Sequence, residues 1–271
     1  MIRDAGLSAK KSLGQNFLLD LNITRRIARA GGPLAGVTVL EIGPGPGGLT
    51  RALLLEGAAK VVTIERDERF RSALALTEDC SEGRLTTLFT DALQANYEAI
   101  ASETGAKRII ANLPYNIATA LIVGWLTEER WPPWFDKMVV MVQREVAERF
   151  VAVPASENYG RLAVLTQYRA TPRILFSLPP SVFTPSPKVS SSLIEIVPRP
   201  SEPNAVSTAL LEKVTAAAFG QRRKMLRSSL ASLGVDTASL LQAAGIDPAQ
   251  RAERLTIADY VRLADQFGKL R

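Results

Sequence analysis

Between residues 37 and 143 the chain alternates short β-branched apolar runs with longer stretches whose apolar positions recur at helical spacing. VTVLEI (37–42), KVVTIE (60–65), LTTLFT (85–90), RIIAN (108–112) and KMVVMV (137–142) read as buried strands. Between them LTRALLLEGA, DERFRSALALTED, ALQANYEAIASET and NIATALIVGWLTEE read as helices, with Gly57 closing the first. Five strand–helix units in this order predict a parallel sheet with right-handed crossovers and helices on both faces. After 143 the pattern changes. QREVAERFV and YGRLAVLTQYR predict helices, RILFSL and SSLIEIVP strands. LPPSVFTPSPKV between those strands carries four prolines in twelve residues and predicts an extended loop without regular structure. VPRPSEPN (197–204) reads as a linker, and beyond it the periodicity is helical, with a break at Gly245–Pro248. The expectation is an α/β domain over residues 1–200 and a small all-helical domain over 201–271.

Composition narrows the chemistry. Of 271 residues 46% are hydrophobic and 22% charged, an ordinary globular balance, and none is histidine. A Ser-His-Asp triad, a zincin helix and an imidazole base are therefore excluded, and the single cysteine, Cys80, removes disulfides and cysteine-based zinc sites. No metal is expected, and Cys80 is given no role. MIRDAGLSAKKSLGQNF lacks the apolar core of a signal peptide, and no run approaches 18 apolar residues, so a cytoplasmic protein without membrane contact is expected. No interface pattern stands out, and we expect a monomer. The net charge of +6 is uneven: six basic against two acidic residues in 1–30, ten against fourteen in 61–150, and fifteen against nine in 151–271. Basic ends around an acidic middle suit a polyanionic partner.

EIGPGPGGLT (41–50) joins the first predicted strand to the first helix, and Gly43, Gly45 and Gly48 satisfy the G-x-G-x-x-G spacing of a dinucleotide loop. Pro44 and Pro46 argue against a dinucleotide, because a pyrophosphate wants backbone N–H donors from this turn and proline has none. S-adenosylmethionine carries no phosphate. Glu41 also suits its sulfonium and ammonium cations better than a pyrophosphate. Glu65 ends the second strand, where an acid accepts ribose hydroxyls, and Asp91 ends the third, where an acid accepts from an adenine amine. All three lie at the carboxyl edge of the predicted sheet, where ligands bind.

Asn112-Leu113-Pro114-Tyr115 ends the fourth strand. The exocyclic amine of adenine is a poor nucleophile until acceptors draw its hydrogens out of the ring plane. The Asn112 side-chain carbonyl and a main-chain carbonyl of Leu113 or Pro114 meet that need. Pro114 stiffens the turn, and Tyr115 offers a face on which a base stacks, worth about 1–3 kcal/mol. No general base is required if the proton leaves after methyl transfer. Phe183, in the proline-rich segment, either closes on the other face of the base or anchors that loop in the core.

These segments together resemble the ribosomal RNA adenine N6,N6-dimethyltransferases, and among them most closely the bacterial enzymes of the small-subunit (16S) rRNA. The resemblance runs through KKSLGQNFL from Lys10, EIGPGPGGLT, I-E-R-D at 64–67, Asp91-Ala92-Leu93, NLPYNIAT (112–119), FTPSPKVSS (183–191), FGQRRK (219–224) and GIDPAQRAERLT (245–256). It implies a Rossmann-like class I S-adenosylmethionine-dependent methyltransferase fold with a C-terminal helical domain. It also implies that Gln15, Asn16 and Leu18 close over the donor, Gly43 and Gly45 shape its pocket, Glu65 holds its ribose and Asp91 its adenine, and Asn112 stands between donor and target. The implied substrate is two adjacent adenosines in a hairpin near the 3′ end of 16S rRNA in an immature small ribosomal subunit, each methylated twice, with S-adenosylhomocysteine as by-product. The loop departs modestly in reading P-G-G at 46–48, which adds flexibility and no evident change of chemistry.

Basic segments are the candidate RNA contacts. Lys10 and Lys11 either steer phosphate or solubilise an arm. If FGQRRKMLRSSL is helical from about 221, Arg223, Lys224 and Arg227 project from its polar side while Arg222 falls near the apolar edge as a possible ion-pair partner. Cations in a first helical turn oppose the macrodipole, which favours an RNA-phosphate role. Lys188 either holds the RNA backbone or is a plain surface lysine. Trp131 and Trp134 read as packing residues. Three rival functions are a non-catalytic assembly or transcription factor on the same fold, a DNA adenine methyltransferase, and a nicotinamide dehydrogenase. Intact NLPY and Asp91 oppose the first, Leu113 in place of a proline opposes the second, and Pro44 with Pro46 opposes the third.

Overall fold

The computed structural model describes residues 14–200 and 206–271. In chain order the elements are β1 (Phe17–Leu18), α1 (Leu21–Ala30), β2 (Thr38–Ile42), α2 (Gly48–Leu55), β3 (Lys60–Glu65), α3 (Arg71–Asp79), β4 (Leu85–Phe89), α4 (Tyr97–Thr104), β5 (Ala106–Asn112), α5 (Ala118–Thr127), β6 (Lys137–Gln143) and α6 (Arg144–Val151). There follow α7 (Arg161–Arg169), β7 (Ala170–Leu178), β8 (Phe183–Thr184), β9 (Ser191–Pro198), α8 (Thr208–Gly220), α9 (Leu226–Ser229), α10 (Thr237–Ala244) and α11 (Ile257–Lys269).

The five predicted strands form the parallel part of a seven-stranded sheet ordered β4-β3-β2-β5-β6-β9-β7. Val39, Leu40, Val61, Val62, Ile109, Ile110, Val139 and Val140 are buried, as strands covered on both faces require. β9 enters antiparallel beside β6, from Met138 opposite Ile196 to Gln143 opposite Ser191. The chain thus has the Rossmann-like α/β fold with a helical C-terminal portion that the sequence predicted. Strand order reverses between β2 and β5, and a crevice at the carboxyl ends of strands on either side of such a switch is where this architecture binds ligands.

Three local expectations are revised. The proline-rich segment is not wholly irregular: Phe183 and Thr184 pair antiparallel with Leu18 and Phe17 in a two-stranded ribbon. Residues 92–94 are a turn, and α4 starts at Tyr97 after the Asn96 side chain caps the Ala99 N–H. No helix starts at 221, because α8 ends at Gly220 and the main chain is then drawn beside 248–251. The Leu226 N–H donates to the Gln250 carbonyl at 2.8 Å, and Met225 bridges Arg251.

The described residues fall into two compact units. One comprises residues up to Ile122, Pro133–Ala147 and Arg173–Pro198; the other comprises Val123–Pro132, Glu148–Pro172 and Arg199–Arg271. The boundary expected near residue 200 is therefore not a single cut, because the second unit also recruits α7 and earlier chain. Ala163, Val164 and Leu165 of α7 share a core with Leu211, Val214, Leu263 and Phe267. Trp131 belongs to this unit as packing, its indole donating to the Arg199 carbonyl at 2.8 Å with the Arg169 guanidinium over its ring. In the first unit Trp134 stacks parallel to Tyr97, again as packing.

Candidate active site

A pocket opens at the carboxyl ends of β2, β3, β4 and β5, walled on one side by residues 14–18. The glycine loop is folded against the protein itself. The Gly43 N–H donates to the Ile64 carbonyl at 2.9 Å, the Gly45 N–H to Glu65 Oε2 at 3.1 Å, and the Gly47 N–H to the Pro44 carbonyl at 2.9 Å. With Pro44 and Pro46 lacking N–H groups, these residues have no donor left for a pyrophosphate. The glycines have steric causes as well. A Cβ at Gly48 would meet the Leu18 carbonyl oxygen at 2.3 Å, and one at Gly45, whose φ is +54°, would meet the Phe17 ring at 2.8 Å. The second glycine of P-G-G thus admits the backbone of β1 against α2, a role more specific than added flexibility.

The N-terminal wall is fastened at each residue. Gln15 donates to Asp67 Oδ2 at 3.1 Å, Asn16 Nδ2 to the Gly14 carbonyl at 3.2 Å, and the Phe17 ring meets Phe70 edge-on. Leu18 is buried in the core of the first unit. Asp67, which the sequence did not single out, links this wall to the turn after β3. Arg69 chelates it and holds its carboxyl well below the usual range.

The acidic residues differ in state. Glu65 is 6% exposed, and its two oxygens accept from the N–H groups of Gly45 and Asp67, leaving lone pairs toward the pocket. Burial raises its pKa while those bonds oppose the shift. Glu41 is 1% exposed, accepts from Thr50 at 2.7 Å, and is pushed up to about 8 by burial. At neutral pH it therefore keeps its proton until a cation approaches, which qualifies its expected role as a standing anion. Asp91 lines the pocket, with one oxygen accepting from the Leu93 N–H at 3.0 Å and the other paired to Arg66 at 3.1 Å.

Across the pocket Asn112 ends β5. Its Nδ2 donates to the Asn16 carbonyl at 2.9 Å, so the amide turns its Oδ1 away as a free acceptor. The carbonyl of Pro114 already accepts the N–H groups of Ile117 and Ala118, which leaves that of Leu113 as the second acceptor of this turn. Tyr115 is half-buried, and its hydroxyl bonds to Ser191. Phe183, by contrast, is 3% exposed among Leu18, Ile27 and Leu193, and does not line the pocket. Of its two readings, the structure shows the core anchor.

The match to a ribosomal RNA adenine dimethylase family extends over residues 6–269. The chain belongs to that family. Among relatives of this dimethylase, the Ribosomal RNA small subunit methyltransferase A of Xanthobacter autotrophicus is 58% identical over all of this chain and 93% of its own. The protein of that name from Azorhizobium caulinodans is 57% identical over all of this chain and 92% of its own. A solved dimethyladenosine transferase from Plasmodium falciparum superposes with a TM-score of 0.78 at 25% identity, covering 93% of this chain and 98% of that one.

The remaining predicted residues of the dimethylase are surface cations. Lys10 and Lys11 lie outside the described residues, and Lys188 is exposed. Arg223, Lys224 and Arg227 are exposed; Arg222 pairs with Glu253 at 3.1 Å and donates to the Glu157 carbonyl. Since 221–224 form the turn after α8, Arg222, Arg223 and Lys224 follow a helix C-terminus, where the macrodipole favours them, while Arg227 lies in the single turn of α9. The argument from an opposed dipole therefore falls. The main-chain bridge adds exposed Arg251 to the cluster, a neighbour invisible in sequence. Among the described residues no helix is long and apolar enough to cross a membrane, and no cluster of three metal-ligating side chains occurs.

Proposed function

We propose that this dimethylase transfers methyl groups from S-adenosylmethionine to the N6 amines of two adjacent adenosines in a hairpin near the 3′ end of 16S rRNA, within an immature small ribosomal subunit. The observation that carries this reading is the Asn112 amide, locked by the Asn16 carbonyl with its oxygen presented beside a pocket in which residues 43–47 have no N–H to spare for phosphate. The pocket residues fit the donor: Glu65 offers lone pairs to ribose hydroxyls, Asp91 stands at the strand end expected for the adenine, and Gly43 and Gly45 let Pro114 and Phe17 approach the loop. When bound, S-adenosylmethionine supplies a methyl group on a sulfonium and is left as S-adenosylhomocysteine.

The chain's own residues orient the acceptor. Asn112 Oδ1 and the Leu113 carbonyl accept the two N6 hydrogens, which turns the nitrogen lone pair out of conjugation. Tyr115 holds the base by stacking. Positioning and these fixed dipoles provide the catalysis, and the proton departs after transfer with no side-chain base. We assign phosphate contacts to Lys188, Arg223, Lys224 and Arg227, with Arg222 as their structural support, and RNA binding to the helical unit that contains 222–227. The donor-binding domain is the unit holding the sheet.

The test is incubation with labelled S-adenosylmethionine and unmethylated small subunits, with large subunits, naked RNA and DNA in parallel, followed by digestion and identification of the labelled nucleoside. The expected outcome is dimethyladenosine from small subunits alone. Donor binding without label in any RNA would overturn the catalytic reading in favour of an assembly factor.

A further inference from the structure

We propose that Ser191 is a positioning residue for methyl transfer, acting through its hydrogen bond to the Tyr115 hydroxyl. The inference rests on the reading of Tyr115 as the surface on which the target adenine stacks. Ser191 is 0% exposed and opens β9, where its main chain is held opposite Gln143 by the β6–β9 ladder. The adjacent Ser190 carbonyl accepts the Arg144 N–H at 2.9 Å, so the backbone around Ser191 is fixed on both sides. Its Oγ bonds to the Tyr115 Oη, 76 residues away in the chain. Tyr115 belongs to the turn after β5, so the bond ties the stacking residue to a strand other than the one that presents it. Burial raises the tyrosine pKa, which keeps the phenol protonated and the bond neutral.

The physical need for such a tie is clear. Asn112 at the head of the turn is fixed by the Asn16 carbonyl, but an aromatic ring at its tail can swing about two side-chain torsions. A base stacked on a swinging ring brings its amine out of line with the methyl group, and a displacement of about 1 Å costs on the order of 100-fold in rate. A hydroxyl on a rigid strand, bonded to the far end of the ring, removes that freedom before the base arrives.

The test is a double-mutant cycle of wild type, Ser191→Ala, Tyr115→Phe and the double variant, assayed on unmethylated small subunits at saturating donor, with donor affinity measured by calorimetry. Ser191→Ala is expected to lower turnover about tenfold with donor affinity unchanged. Tyr115→Phe, which keeps the ring and loses only the hydroxyl, is expected to match it. The double variant is expected to be no slower than Ser191→Ala alone, since it also removes the hydroxyl that the single change leaves unpaired. Multiplying factors, wild-type turnover in either single variant, or a parallel loss of donor affinity in Ser191→Ala would overturn the proposal. If Ser191→Ala does not fold, Tyr115→Phe alone decides by the same criterion. Tyr115→Ala in the same assay separates the two readings: wild-type turnover there would remove stacking itself, whereas a dead Tyr115→Ala beside multiplying factors would remove only the role of Ser191.

Discussion

On the glycine-loop side of the pocket the N–H groups of Gly43, Gly45 and Gly47 and both oxygens of Glu65 are engaged within the protein, while on the NLPY side Asn112 has one bond and keeps one free acceptor. The difference follows from what each side must do. A site for an entire small molecule is defined largely by its shape, so its polar groups can hold that shape while Glu65 keeps further lone pairs for the ligand. A site that activates one amine must present free acceptors, and it makes only the bonds that aim them. Rigidity on the first side comes from backbone packed on backbone, as where Leu18 meets Gly48. On the second it comes from single long-range ties.

The sharpest way to break this contrast is to remove the free acceptor. Asn112→Ala is expected to lower turnover by roughly 100-fold or more, with Tyr115→Ala also losing most of its activity but binding donor better than the asparagine variant. Single-turnover transfer beside donor calorimetry reads both, and a Tyr115→Ala protein as active as wild type would erase the distinction between the two sides. Next in size, Gly48→Ala places a Cβ 2.3 Å from the Leu18 carbonyl oxygen. Overpacking of this kind costs about 1–3 kcal/mol, and here the loss is expected in donor affinity more than in the transfer step itself. Equal donor affinity in wild type and variant would show that the wall of residues 14–18 does not shape the donor site.

A smaller effect is expected from Arg223→Ala with Lys224→Ala: weaker RNA binding and a salt dependence flatter by up to about 0.9 for each phosphate that the variant no longer neutralises. An unchanged slope would return these residues to capping the C-terminal end of α8. The last concerns Glu41 and is read in stability, with the smallest effect expected on transfer itself. Because the native carboxyl is raised from 4.5 to about 8, the folded chain holds a proton that the unfolded chain releases across that interval, so stability falls as pH rises through it and levels off above. Glu41→Gln should flatten that part of the melting-temperature profile, and a profile as steep as that of wild type would count against the buried carboxyl as its source.

Much of this molecule was legible in its sequence because the informative patterns are local. The five parallel strands stand within two residues of where their apolar runs placed them, and Glu65, Asp91 and Asn112 lie at or just past strand ends on one pocket. Pairings between distant segments were not legible. Nothing near Asn112 announces that the Asn16 carbonyl orients it, and nothing near Phe183 announces its pairing with Leu18. The basic stretch at 221–227 misled for the same reason. Its composition suits a helix, but hydrogen bonds to the chain at 248–251 override local preference. Asp67 entered only as the last residue of the I-E-R-D segment, and nothing near it in the chain announces that Gln15 reaches it.

The pairing of Leu18 with Phe183 has a consequence for the time at which the protein becomes competent. During synthesis residues 14–18 are made well before the strand that holds them, which is among the later parts of the sheet-bearing unit. A nascent chain stopped short of residue 183 has the glycine loop and the acids yet lacks the partner that holds Phe17 and Leu18 over them. On the reading that residues 14–18 close over the donor, its capture waits for the translation of a segment far from the pocket in sequence.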